Sequence, residues 1–274
     1  MLGFLRNSLW GGGAFVTEWN APEYARISEL QHAMAAEVLS LLDLGDAKSV
    51  LDLGCGTGNV TAEIAARVPE GRVVGVDASG EMIAFAKERY GAAVWPNLSF
   101  EVCDIRRIGF RDEFDLVVSF NALHWIPEQE VALRAIHTAM KPGGAAQLRL
   151  VPKGERKSLE DVLEETRKSA KWCTYFDGYR NPYLHLTAEE YSALAAECGL
   201  RAVSMDVKDK AWDFGSRAGF HTFGSVTFVE WTRRLPEEAK STFIDDALDR
   251  YSAVAGDDRT FRFYQMDIRL AKSS

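Results

Sequence analysis

Asp52-Leu53-Gly54-Cys55-Gly56-Thr57-Gly58 separates two stretches with opposite patterning. Before it, Lys48-Ser49-Val50-Leu51-Asp52-Leu53 is a short apolar run that the glycines end. After it, Asn59 to Val68 follows a helical spacing until Pro69-Glu70-Gly71 breaks it. The order is strand, glycine turn, helix. In such a turn the backbone can come close to a ligand, because a Cβ at Gly54, Gly56 or Gly58 would fill the space the ligand needs.

The same unit recurs along the chain. Arg72 to Val76 reads as a strand, Ser79 to Tyr90 as a helix, and Leu98 to Cys103 and Phe114 to Phe120 as strands. Glu128 to Met140 reads as a helix that Lys141-Pro142-Gly143-Gly144 stops, and Ala145 to Val151 as a further buried strand. Helices of ten or so residues between strands imply parallel crossovers, so the fold class is α/β. Tyr24, Ile27, Leu30, Met34, Val38 and Leu41 share one face of an amphipathic helix before the first strand.

After Pro152 the rhythm changes. A charged segment and an aromatic, turn-rich stretch suggest an inserted helical cap built from 152–186 and about 211–258. Thr187-Ala188-Glu189-Glu190 opens a helix with a capping box, and strands are expected at Leu200 to Val207 and Thr260 to Leu270. Residues 1–19, with Gly11-Gly12-Gly13, read as a flexible or docked N-terminal segment, and 20–274 as a single domain.

The glycine spacing bears on the ligand. A dinucleotide site requires G-x-G-x-x-G with a pyrophosphate on the helix N-terminus, whereas this loop is D-x-G-x-G-x-G. Asp52 is ill placed beside a pyrophosphate and well placed for an ammonium group. Asp77, ending the second predicted strand, can accept from both hydroxyls of a ribose. S-adenosylmethionine carries an ammonium and a ribose and no phosphate. Asp52 also reads as an ordinary strand-end carboxylate.

Val50 to Gly58, Gly75-Val76-Asp77-Ala78-Ser79, Cys103-Asp104-Ile105, Phe114-Asp115-Leu116-Val117 and Lys141-Pro142-Gly143-Gly144 together resemble the successive motifs of class I methyltransferases. The resemblance implies a Rossmann-like, mostly parallel sheet with helices on both faces and S-adenosylmethionine as methyl donor. It implies that Gly54, Gly56 and Gly58 face the methionine portion, that Asp77 holds the ribose, that Asp104 meets the adenine amino group and that Met82 packs on the adenine face; Cys55, Ala78, Cys103, Ile105 and Asn121 are further expected cofactor contacts. Asp104 as a turn cap and Met82 as core packing remain open beside these roles.

After the fourth strand the chain reads Ser119-Phe120-Asn121-Ala122-Leu123-His124-Trp125-Ile126-Pro127. In open α/β sheets ligands bind outside the carboxyl ends of strands, so this loop, Asn121 included, is expected beside the transferring methyl group. Asn121 to Pro127, with Trp19-Asn20-Ala21-Pro22-Glu23-Tyr24 and Phe228-Val229-Glu230-Trp231, is similar to the trans-aconitate methyltransferase group. Ser28-Glu29-Leu30-Gln31 adds a resemblance to insect juvenile hormone acid methyltransferases. Both methylate carboxylates of small molecules. The resemblance implies Gln31 and Trp125 as acceptor contacts, and Trp19 and Tyr24 as residues closing over the cofactor.

His124 reads three ways: a neutral donor orienting a carboxylate, a base for a hydroxyl or amine, or a ligand of a loop carbonyl. Trp125 reads also as a loop anchor. Arg149, Arg180, Tyr179 and Tyr183 are candidate donors to an acceptor carboxylate by region, and His185 sits in the cap.

Composition narrows the partners. Lys and Arg number 32 against 40 Asp and Glu, a formal charge of −8, which argues against nucleic acid. No apolar run is long enough for a membrane span. Cys55, Cys103, Cys173 and Cys198 form no C-x-x-C pair, so a reduced, cytoplasmic chain without a structural metal is expected. The expected activity is O-methylation of a small, partly apolar acid. The alternatives are a small-molecule N-, C- or hydroxyl O-methyltransferase with His124 as base, a cofactor-binding module without catalysis, and, against the glycine spacing, a nicotinamide dehydrogenase.

Overall fold

The computed structural model describes residues 29–273. Trp19 and Tyr24 lie outside the described residues. The first described element is α1 (Glu29–Leu41). Gln31 falls within it, and its side chain lies outside the described part of the structure.

The chain continues as β1 (Ser49–Leu53), α2 (Asn59–Arg67), β2 (Arg72–Asp77), α3 (Gly80–Arg89), β3 (Leu98–Val102), β4 (Phe114–Phe120), α4 (Gln129–Ala139) and β5 (Met140–Leu150). Then come α5 (Leu159–Arg167), α6 (Ala188–Glu197), β6 (Leu200–Asp213), α7 (Arg217–Thr227), α8 (Val229–Thr232), α9 (Glu237–Ala255) and β7 (Thr260–Lys272). Lys141-Pro142-Gly143-Gly144 does not merely stop α4: β5 starts at once and runs through these residues. The long ladder with β7 also carries β6 to Asp213, so the second helical segment starts after 213 rather than near 211.

Among the described residues, seven strands lie in the order β3-β2-β1-β4-β5-β7-β6. β3, β2, β1, β4 and β5 are parallel, and β7 is antiparallel to both β5 and β6. Alternation along the strands feeds two cores. Leu51, Leu53, Val74, Val76 and Val117 face α4 and α6, while Val50, Val73, Leu116 and Val118 face α2 and α3. The α/β sheet with helices on both faces is therefore observed.

A third core, of Leu163, Trp172, Phe220, Trp231, Phe243 and others, joins α5, α7, α8 and α9 to Phe261 and Phe263 at the start of β7. The two sequence segments after β5 and β6 thus pack as one helical cluster beside the sheet.

Two polar networks hold the sheet in register. At the start of β1, the Asp115 carboxylate accepts from the backbone N–H groups of Lys48 and Ser49, from the Ser49 hydroxyl, and from Lys141 Nζ. Burial opposes its ionisation, but these donors outweigh it and hold its pKa well below the usual carboxylate range. The motifs around Asp115 and Lys141 are thus structural ties. At the other end, Arg149 is wholly buried and forms a two-pronged bond to Asp267, its register partner on β7. It also reaches Glu37 of α1 at 3.1 Å, and so ties that helix to the sheet.

Candidate active site

β1 sits between β2 and β4, and the crossovers leaving it and β4 diverge there, opening a crevice at the strands' carboxyl ends. The glycine loop leaves β1 into this crevice. Its first turn is latched to β2, because the N–H groups of Gly54 and Cys55 both donate to the Val76 carbonyl, at 2.8 and 3.0 Å. Asp77 adds a second latch: one carboxylate oxygen accepts from Gly56 N–H and the other from Ser79 N–H, each at 2.9 Å. Ser79 then caps α3 by accepting from Met82 N–H.

The loop glycines do different work. Gly54 has φ +74°, and a Cβ there would stand 2.3 Å from the Cβ of Ala122, on the loop after β4. Gly56 has φ +53° and open space where its Cβ would be. Gly54 thus allows two protein loops to touch, and Gly56 leaves a void.

That void belongs to a cavity of about 610 Å³. Gly54, Cys55, Gly56, Asp77, Ala78, Met82, Asp104, Ile105, Asn121, His124 and Trp125 line it, so eleven positions expected from the sequence converge. Asp52, Gly58 and Cys103 do not line it. Asp52 is 2% exposed behind the loop and accepts from the Thr61 hydroxyl at 2.7 Å. Gly58 sits against the Phe100 ring, and the Cys103 thiol turns to the Asp104 carbonyl. The Asp52 carboxylate thus turns to Thr61 rather than to the cavity.

Burial, with the nearby Asp77 charge, pushes the Asp52 carboxyl up to about 7 despite the Thr61 bond. Burial and the Asp52 and Asp77 charges likewise push the Cys55 thiol up. Asp104 both caps the short helical turn Ile105–Arg107 and is gripped by the Arg106 guanidinium. Burial would raise its pKa, yet Arg106 holds it below the ordinary value.

On the β4 side, Asn121 adopts φ +59°, a left-handed backbone that asparagine enters more readily than other non-glycine residues. Leu123–Trp125 then form a short helical turn. His124 is 4% exposed; its Nδ1 accepts from Val151 N–H at 3.4 Å, which puts the ring proton on Nε2. Burial, with His185 nearby, holds its pKa well below the ordinary histidine value. Burial therefore favours the neutral ring, whose Nδ1 is engaged by the Val151 N–H. Trp125 packs edge-on to Tyr183 and Trp231, so it lines the cavity and anchors its loop at once.

Of the four candidate donors to an acceptor carboxylate, Tyr179 and Arg180 line the cavity. Arg149 is committed to Asp267 and Glu37, and the Tyr183 hydroxyl donates to Asp161. Arg106, Thr57 and Glu230 also line it and carried no signal of their own in the sequence, although Glu230 lies in the quoted stretch Phe228 to Trp231.

The family model described as a methyltransferase domain matches residues 50–144. The trans-aconitate 2-methyltransferase of Deinococcus radiodurans is 30% identical over 78% of this chain and 79% of its own length. The chain belongs to the class I S-adenosylmethionine-dependent methyltransferases. Among solved structures, the YcgJ protein from Bacillus subtilis superposes on this methyltransferase with a TM-score of 0.64 at 16% identity, over 89% of this chain and 99% of that one. A Haemonchus contortus phosphoethanolamine N-methyltransferase, solved with S-adenosylhomocysteine, gives 0.61 at 18% identity, over 93% of this chain and 57% of that one. These likenesses show a fold shared by enzymes with different acceptors, so the acceptor has to be argued from the cavity itself. No helix among the described residues of the methyltransferase is long and apolar enough to cross a membrane.

Proposed function

We propose that this methyltransferase esterifies the carboxylate of a small, partly apolar acid. The observation that carries the reading is His124: burial disfavours its protonated ring and its Nδ1 already meets Val151 N–H, so it is poorly suited to take a proton from a substrate. A carboxylate needs no base, because it is ionised at neutral pH. A hydroxyl or an ammonium acceptor would need one.

The cavity fits S-adenosylmethionine: Gly56 leaves the backbone bare beside open space, Asp77 borders it as a carboxylate, and Met82 and Ile105 supply apolar surface. In this reading the Gly54–Gly56 backbone holds the methionine portion, Asp77 and Ala78 the ribose, and Asp104, Ile105 and Met82 the adenine. When bound, the cofactor supplies an electrophilic methyl group on a sulfonium. The protein's task is then alignment and exclusion of water. His124 donates its Nε2–H to the acceptor carboxylate and fixes its approach. Trp125 and Trp231 wall the cavity with ring surface that tolerates a nearby positive charge. The trans-aconitate methyltransferase relatives support a carboxylate acceptor, and the net charge of −8 supports a small molecule over nucleic acid.

The test is incubation with methyl-labelled S-adenosylmethionine and a panel of carboxylic acids, amines and phenols. Alkali-labile ester label on an acid is the expected result. Label confined to amines or phenols refutes the reading.

A further inference from the structure

Where the chain leaves β3, Asp104 caps the short helical turn that carries Arg106, and both residues line the cavity. The Arg106 guanidinium grips Asp104 with a fork: Nε donates to Oδ1 at 2.9 Å and Nη2 to Oδ2 at 2.6 Å. Its Nη1 donates to Glu128, the residue before α4, at 2.7 Å. All three guanidinium nitrogens are thus engaged by two carboxylates, and the turn after β3 is tied to the start of α4. The Asp104 and Arg106 side chains are 16% and 21% exposed, so this fork is shielded from water as an ordinary surface pair is not.

The grip limits what Asp104 can receive from a ligand. A carboxylate offers about four lone-pair positions. On Oδ1 the Arg106 backbone N–H and Nε take two of them, and on Oδ2 Nη2 takes one, with Nε shared more distantly. An ionised carboxylate only accepts, so the position left on Oδ2 suits an amino group and repels a carbonyl oxygen. Burial opposes the ionised form of Asp104, and Arg106 and Arg107 favour it. Glu128 stands behind Arg106, and the Cys103 thiol, pushed up by burial and by the Asp104 and Glu101 charges, adds no charge of its own.

We propose that Arg106 is a positioning residue for the methyl donor: by clamping Asp104 it fixes that carboxylate as the acceptor of the adenine amino group. This rests on the placement of the adenine at Asp104 given above and is independent of the acceptor. Arg106 acts through Asp104 and takes no part in methyl transfer.

The test measures affinity by calorimetry for S-adenosylhomocysteine and for S-inosylhomocysteine, in which a carbonyl oxygen replaces the adenine amino group. The unmodified chain is expected to prefer the amino compound by about tenfold or more, because the carbonyl oxygen would face the carboxylate. Asp104→Asn, whose amide both accepts and donates, is expected to lose that preference. In Arg106→Met the preference is expected to fall by about threefold or more. Its affinity for S-adenosylhomocysteine should also drop further below that of the unmodified chain as pH falls from about 8 to about 5, since burial without the guanidinium raises the Asp104 pKa toward that range. Arg106→Lys keeps a charge but not the fork, and is expected to lose preference without the added pH dependence. Urea unfolding establishes that each variant is folded, and if Arg106→Met is not, Arg106→Lys decides alone. Equal weakening of both compounds in the folded Arg106 variants, with the preference undiminished, is what a merely structural arginine would give; it overturns this inference and leaves Asp104 as the adenine contact. A preference absent from the unmodified chain, or surviving in Asp104→Asn, overturns the adenine placement with it, and neither result touches the carboxylate reading of the acceptor.

Discussion

Adding one methyl group at Gly54 or at Gly56 should damage the protein in two different ways. At Gly54 the new Cβ would stand 2.3 Å from Ala122 Cβ, an atom fixed to the backbone, and the residue would have to hold φ +74°. The left-handed backbone costs about 1–2 kcal/mol and the forced repacking about 1–3, so Gly54→Ala is expected to lose about 2–5 kcal/mol of stability. At Gly56 only the backbone cost applies, about 1–2 kcal/mol, because nothing lies within 4 Å of the new atom. That atom instead takes ligand space, and cofactor affinity should fall about tenfold or more. Ala122→Gly supplies the internal control. With the Ala122 Cβ gone, the nearest atom to the new methyl is Ala122 Cα at 3.8 Å, an ordinary contact. In the Gly54→Ala background it should therefore restore about 1–3 kcal/mol, an interaction that a double-mutant cycle by urea denaturation reads directly. No coupling between positions 54 and 122, or unchanged cofactor affinity in Gly56→Ala by calorimetry, would refute this division of labour.

Other perturbations test the buried charges. The folded Asp52 carboxyl keeps its proton to about pH 7, whereas the unfolded chain releases it near pH 4. Its contribution to stability is therefore complete below about pH 4 and is lost as pH rises through about 7, by up to about 4 kcal/mol. Asp52→Asn should flatten the cofactor-free stability profile across that window, and identical slopes in urea titrations of the two proteins would contradict the assignment. Asp267→Ala should cost about 3–5 kcal/mol in the same assay by leaving the buried Arg149 without its two-pronged partner; a loss below about 1 kcal/mol would show that Glu37 alone suffices. With His124 neutral throughout, kcat/KM for an acid substrate should be level from about pH 6 to 8, and an inflection near the ordinary histidine value would restore the ring as a base.

The parallel half of the sheet was legible because each of its strands is an apolar run followed by turn chemistry and a helix, a local pattern. β1, α2, β2 and α3 fall within a residue or two of their expected bounds. The glycine loop, Asp77 and the Asn121 to Trp125 loop were legible because the topology of an open sheet fixes where strand ends meet. Asp52 does not line the cavity for a matching reason: it is buried behind the loop, where Thr61 meets it, and spacing within the loop does not reveal that pairing. Arg149, Asp267 and Glu37 come together from β5, β7 and α1, so no short motif announces them.

The antiparallel β7 lies inside the sheet and not at its edge, which bears on the order of assembly. Its pairing with β5 brings together residues as far apart in the chain as Arg149 and Asp267, 118 positions, so this is loop closure of high contact order. The parallel ladders of β1 to β5 span at most 66 positions, as between Val50 and Leu116, but until β7 docks, Arg149 has no Asp267 and the cavity has no wall from Phe261 and Phe263. A strand of such contact order is expected to insert late, and its insertion would seat the buried cation, join β6 to the sheet and enclose the cavity together.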